Sequence, residues 1–128
     1  MMAAPGPTPR VLVVEDEFLL AETMAEVLRD HGFEVETVAN ATDALRHLAS
    51  GERCDVLFTD IELHDRVGGA QLSRLARVLR PQLPVVYASG AVAGLEQVAA
   101  VPGARFIPKP YDPDAVCSML ASMASKPH

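Results

Sequence analysis

Five residues of this chain able to do chemistry each close an apolar run: Glu15 and Asp16 after Val11-Leu12-Val13-Val14, Asp60 after Val56-Leu57-Phe58-Thr59, Ser89 after Val85-Val86-Tyr87-Ala88, and Lys109 just past Phe106-Ile107. Such a run reads as a buried parallel strand that delivers its last polar side chain to the C-terminal edge of a sheet. That edge is where open α/β sheets gather their chemistry. Carboxylates converging there repel one another; at an effective dielectric of about 20 and roughly 4 to 5 Å, each pair costs around 3 to 4 kcal/mol. Positive charge must relieve them. An all-oxygen, carboxylate-rich set suits Mg²⁺, with Mn²⁺ as the alternative, and the Lys109 ammonium adds a second cation. A metal so held would also screen the approach of an anionic phosphodonor to a carboxylate nucleophile. Asp60, which ends the most central of these runs, is the expected nucleophile.

The intervening segments supply the elements that must position these residues. Leu20, Ala21, Met24, Val27 and Leu28 recur at helical spacing up to the His31-Gly32 stop, and Phe33 to Val38 alternates like a strand near a sheet edge. Ala41 to Ala49 is a second helix. The Gly68-Gly69 pair permits a tight backbone path into a third, with Leu72, Leu75, Ala76 and Leu79 expected inward, Arg74, Arg77 and Arg80 expected in solvent, and Pro81 ending it. A weaker helical pattern covers Val92 to Ala100. Asp112-Pro113 is an N-cap and first-turn pair for the last helix, with Val116, Met119, Leu120 and Met123 inward. Alternating strands and helices joined by short loops predict a right-handed, doubly wound, five-stranded parallel sheet with helices on both faces.

With 128 residues there is room for one such domain, over 10–125, between a Pro-rich leader at 1–9 and a short tail at 126–128. The formal net charge of -6 argues against non-specific binding to nucleic acid or to an anionic membrane, both of which need a basic surface. No run is long enough to span a bilayer, and the leader lacks the apolar core of a signal peptide. Cys54 and Cys117 sit in apolar surroundings on different elements and read as free thiols in a reducing, cytoplasmic setting.

Taken together and in order, Val13-Val14-Glu15-Asp16-Glu17, Phe58-Thr59-Asp60-Ile61, Ala88-Ser89-Gly90 and Lys109-Pro110-Tyr111 resemble the receiver domain of two-component response regulators, over roughly residues 10 to 125. The resemblance implies a flavodoxin-like sheet in strand order 2-1-3-4-5 and a stand-alone switch that catalyses its own phosphorylation and dephosphorylation rather than an enzyme acting on other substrates. By it, Asp60 is the phosphoacceptor, Asp16 and Asp60 bind Mg²⁺ directly, Glu15 binds it through water, and the backbone carbonyl of Glu62 completes the protein ligands. Lys109 pairs with the phosphoryl group, Ser89 hydrogen-bonds it, Phe106 matches a rotating aromatic switch, and Lys109-Pro110 matches a peptide bond that is cis in the family. The implied partners are a histidine kinase or histidine phosphotransferase and a downstream protein. The output surface is expected on the Val92 to Ala100 helix, strand five and the final helix, and a homodimer would use the same 92–125 face.

The chain departs from the family in the loop after Asp60, where Leu63, His64 and Val67 replace the usual Met-Pro and Asp, and in Ser89, which stands for the commoner Thr. A loop histidine such as His64 is expected in solvent rather than on a metal. Three other readings compete. A metal-dependent hydrolase with an Asp nucleophile, of the haloacid-dehalogenase type, wants a second Asp two residues on and then Thr, where Glu62 and His64 stand. A dinucleotide or flavin binder wants a Gly-rich loop after the first strand, which is missing. A docking module that works without phosphorylation would not need the complete acidic set.

Overall fold

The computed structural model describes residues 8–63, 66–90 and 101–124. Five strands, β1 (Arg10–Val14), β2 (Glu34–Val38), β3 (Val56–Asp60), β4 (Val85–Ser89) and β5 (Arg105–Pro108), form one parallel sheet in the order β2-β1-β3-β4-β5. Helices α1 (Phe18–Asp30), α2 (Ala41–Ala49), α3 (Gly69–Leu79) and α4 (Pro113–Ala124) cover it. The Val92 to Ala100 stretch and His64 lie outside the described residues. Register is what assembles the edge: Asp60 lies beside Ala88, and Ser89 beside Pro108.

The apolar runs are buried on both sides of the sheet, as a doubly wound architecture requires. Val11, Val13, Phe58, Val86 and Ala88 point to the layer of α1 and α4, where Met24, Leu28, Val116 and Leu120 meet them. Their neighbours Leu12, Val14, Leu57 and Tyr87 point the other way, against Ala44 and Leu48 of α2 and Leu72 and Ala76 of α3. A single-residue slip would exchange the two sets, so the register that aligns the polar strand ends is fixed by packing. At β2 the alternation holds and the strand is an edge, with Glu34 and Glu36 exposed.

Helix ends follow local chemistry. Asn40 caps α2, its side-chain oxygen accepting from Asp43 N–H at 2.8 Å, and Asp112 Oδ1 accepts from Asp114 N–H at 3.1 Å at the start of α4. Gly32, at φ 94°, turns the chain out of α1.

Helix α3 corrects two expectations. Its buried stripe is Gly69, Leu72, Ser73 and Ala76, while Leu75 and Leu79 are 39% and 45% exposed and border a groove shared with Leu45 and Ala49 of α2. The sheet takes only the Gly69, Leu72, Ser73 and Ala76 side of the helix, and Leu75 and Leu79 lie past its edge, on the side of α2. Nor is the arginine stripe simply solvated: Arg77 donates to the carbonyls of Leu83 (2.7 Å) and Pro102 (2.9 Å), and Arg80 to those of Leu48 (3.0 Å) and Glu52. Long side chains on an outer face can reach loop carbonyls that would otherwise need water.

Tyr87, fully buried, is satisfied by a directed chain of hydrogen bonds. Val101 N–H donates to its hydroxyl at 3.3 Å, the hydroxyl pairs with Ser73 Oγ, and Ser73 donates to the Ala70 carbonyl at 2.6 Å. Without those partners a hydroxyl in this layer would carry a desolvation cost of about 1–3 kcal/mol.

Candidate functional site

The end of β3 carries Asp60, which is only 6% exposed. Its two oxygens are held from different sides: Oδ1 accepts from Glu62 N–H at 2.9 Å, and Oδ2 from the Lys109 ammonium at 2.7 Å. Lys109 follows β5 and is anchored by its own N–H on the Ser89 carbonyl, at 2.9 Å. The Lys109-Pro110 peptide is cis, as the resemblance implies. At the end of β1, Glu15 is buried and its Oε2 accepts from Glu17 N–H at 3.0 Å, which turns the carboxylate back toward the sheet edge. Glu15, Asp16 and Asp60 each offer a carboxylate oxygen within 4.8 Å of the others. Among the described residues this is the one such cluster. An all-carboxylate set of this kind fits a hard divalent cation such as Mg²⁺.

The electrostatics follow from crowding. Burial pushes the Glu15 carboxyl above the usual glutamate range; the Glu17 hydrogen bond and Lys109 oppose this, while Asp60 and Asp16 add to it. Burial pulls Lys109 down, yet its hydrogen bond and attraction to Asp60, with Glu15 and Glu62 behind, leave it above the ordinary lysine value. Lys109 is therefore charged throughout the neutral range. The Tyr111 hydroxyl is also raised, by burial first and by Glu15 next.

The Glu15 shift gives a pH prediction whose sign is fixed. Because the folded protein holds this proton more tightly than the unfolded chain, the group favours folding at low pH. That contribution is lost as pH rises from the ordinary glutamate value through the raised one. In the metal-free protein, a carboxylate NMR titration should find Glu15 titrating above the ordinary glutamate value and moving down in Asp60→Asn, where a repelling charge is gone. Mg²⁺ affinity should fall as pH drops through the same range. A Glu15 that titrates at the ordinary glutamate value would refute the crowded cluster.

Ser89 ends β4 and is 2% exposed, with its Oγ 3.4 Å from Glu62 Oε1; Gly90 N–H donates to the same oxygen at 2.8 Å. The resemblance gives a role only to the backbone carbonyl of Glu62, not to its side chain. The signal available was its type: an acid two residues after Asp60 can span to the next strand end. Phe106, half-buried on β5, lies against Tyr87 with ring centroids 4.9 Å apart. Glu15, Asp16, Asp60, Glu62, Ser89 and Lys109 thus converge on one edge, and Phe106 sits beside it on the layer of α2 and α3.

Residues 11–121 match the family described as the response regulator receiver domain. The chain belongs to the response regulator receiver family. This receiver domain is 35% identical over 111 residues to the nitrogen assimilation regulatory protein NtrX of Azorhizobium caulinodans, covering 81% of the chain and 23% of that protein. It is 31% identical to the probable transcriptional regulatory protein TcrX of Mycobacterium tuberculosis, covering 96% of the chain and 53% of the relative. The receiver domain therefore spans about half or less of these curated relatives. Among solved structures, a response regulator receiver protein from Sinorhizobium medicae superposes with a TM-score of 0.86 at 29% identity, over 91% of this chain and 94% of that one. Receiver domains are phosphoacceptor signalling domains, in keeping with the acidic edge described above. No helix among the described residues is long and apolar enough to cross a membrane. Cys54 and Cys117 are free thiols, Cys54 pushed up by burial to about 11.

Proposed function

We propose that this receiver domain, extending over 10–125 between a leader at 1–9 and a tail at 126–128, accepts a phosphoryl group on Asp60 from a phosphohistidine of a kinase or histidine phosphotransferase. The observation that carries the reading is the Lys109 ammonium at 2.7 Å from a buried carboxylate that also neighbours Glu15 and Asp16. A structural ion pair gains nothing from two further acids beside it; a phosphoryl-transfer site needs them for a metal. Glu15, Asp16, Asp60 and the carbonyl of Glu62 would hold Mg²⁺. The cation would supply charge screening between phosphodonor and carboxylate.

The transfer is a substitution at phosphorus. An Asp60 oxygen forms the new P–O bond as the P–N bond of the donor breaks, and the electron pair returns to the imidazole nitrogen, which takes a proton. Lys109, charged at neutral pH, meets the growing negative charge on the phosphoryl oxygens, and the Ser89 hydroxyl donates to one of them. Water attacking the acyl phosphate reverses the modification. A dianionic group that draws Ser89 toward it would vacate space for Phe106 to fill, altering the face of β5 and α4 read by a downstream protein in the cytoplasm, or by a second copy through the 92–125 face. Inverting a 1:99 population takes about 5.5 kcal/mol, within reach of a few charge-assisted hydrogen bonds.

The test is intact mass after incubation with a small acyl phosphate, with and without Mg²⁺. The expected result is a gain of one phosphoryl group that requires Mg²⁺ and decays over time. No gain under any condition sinks the proposal.

A further inference from the structure

Glu62 does more than follow Asp60. Its backbone N–H is on Asp60 Oδ1, and its side chain then reaches across to the next strand end, where Oε1 accepts from Gly90 N–H at 2.8 Å and lies 3.4 Å from Ser89 Oγ. The side chain is at the surface, so this arc lies at the mouth of the site. Two donors at the end of β4 are therefore already engaged by an anionic oxygen that belongs to the protein. Ser89 is the donor assigned above to the incoming phosphoryl group, and Gly90 is the next N–H along the chain.

We propose that the Glu62 carboxylate is an intramolecular stand-in for a phosphoryl oxygen: a latch that holds Ser89 and Gly90 in the resting arrangement and must leave before the phosphoryl group can take them. The proposal rests on the phosphoacceptor reading of Asp60. Two effects oppose phosphorylation while the latch is closed. Its oxygen competes for the same donors, and its charge repels a phosphoryl group arriving on Asp60, adding a fourth carboxylate to Glu15, Asp16 and Asp60 around the single ammonium of Lys109. The latch also couples the two strand ends: displacing Glu62 frees the β4 end to move at the moment the modification forms. Glu62 is a positioning residue here, acting through Ser89 and Gly90.

Two substitutions separate competition from charge. Glu62→Gln keeps an oxygen that can accept from Gly90 N–H and removes the charge; Glu62→Ala removes both. Because the side chain is exposed, both variants should fold. In the unphosphorylated, metal-free protein, the Gly90 amide proton should move upfield in Glu62→Ala and stay near its original position in Glu62→Gln. With a small acyl phosphate and Mg²⁺, the phosphorylation rate should rise about tenfold in Glu62→Ala, with Glu62→Gln between it and the original protein. If Glu62→Ala moves the Gly90 resonance and leaves the rate unchanged or lower, the contact is structural, and the latch is overturned while the phosphoacceptor reading stands. An unmoved Gly90 resonance overturns the latch directly. If neither variant nor the original protein gains phosphoryl, the phosphoacceptor reading has failed and takes the latch with it.

Discussion

Asp60→Asn is expected to abolish the phosphoryl gain outright while leaving the protein folded. A carboxamide is a far poorer nucleophile than a carboxylate, and it offers Lys109 and a divalent cation a neutral partner where each now has an anion. Loss of modification would mean little if the variant unfolded, so the magnitudes matter. The Lys109 to Asp60 ion pair that is lost joins a lysine side chain 29% exposed to an aspartate 6% exposed at 2.7 Å, an attraction of about 6 kcal/mol at an effective dielectric of about 20. Against that, removing one of three clustered carboxylates relieves two repulsions, each bounded by around 3 to 4 kcal/mol at about 4 to 5 Å. The two nearly cancel. The metal-free variant should therefore melt close to the temperature of the original protein, in the same experiment that finds it unmodified. Phosphoryl that still accumulates in Asp60→Asn would move the nucleophile to Glu15, Asp16 or Glu62.

How much of this was legible in the sequence depends on the kind of signal. Strand ends were readable because Val56 to Thr59 and Val85 to Ala88 are continuous apolar runs, and the residue that closes such a run is placed by its position alone. The caps at Asp112 and at the His31-Gly32 stop were readable for a similar reason, since a cap is a local hydrogen bond. What escaped depends on other elements. Periodicity assigned Leu75 and Leu79 inward, but how wide a stripe α3 buries is set by the sheet it lies on. Arg77 and Arg80 read as a solvated face because their acceptors, at Leu83, Pro102, Leu48 and Glu52, belong to loops whose positions no pattern in α3 encodes. The tie between Ser73 and Tyr87 joins residues 14 apart in sequence, and the Glu62 latch joins residues 28 apart. Neither has a periodic signature. The acidic set was found from sequence because its members close strands, Glu15 and Asp16 just after β1 and Asp60 at the end of β3; the Glu62 side chain was missed because it reaches sideways from a loop to the end of another strand.

The Gly68-Gly69 pair shows the same divide, and it yields the largest stability effect expected in the chain. Sequence gave both glycines one role, a tight path, but the two positions differ. A Cβ at Gly68 would meet only the Ile61 carbonyl, at 3.7 Å, an ordinary contact. At Gly69, the first residue of α3, a Cβ would strike the Asp60 carbonyl oxygen well inside contact distance and reach Ile61 Cα at 2.6 Å. The obstruction is backbone on both sides, so no rotamer change can relieve it. Either α3 backs away from the end of β3, opening the Leu72 and Ala76 contact with the sheet, or the Asp60 to Glu62 turn shifts, carrying Asp60 off Lys109 and away from Glu15 and Asp16. Overpacking of this kind costs about 3 kcal/mol or more. Gly69→Ala should accordingly lose that much stability in urea melts and, in whatever fraction stays folded, lose Mg²⁺ affinity and phosphorylation together. Gly68→Ala should change stability by less than about 1 kcal/mol and leave both activities in place. The paired comparison is the check: if the two alanine variants melt alike, the close approach of α3 to the backbone behind Asp60 is not what holds the site together.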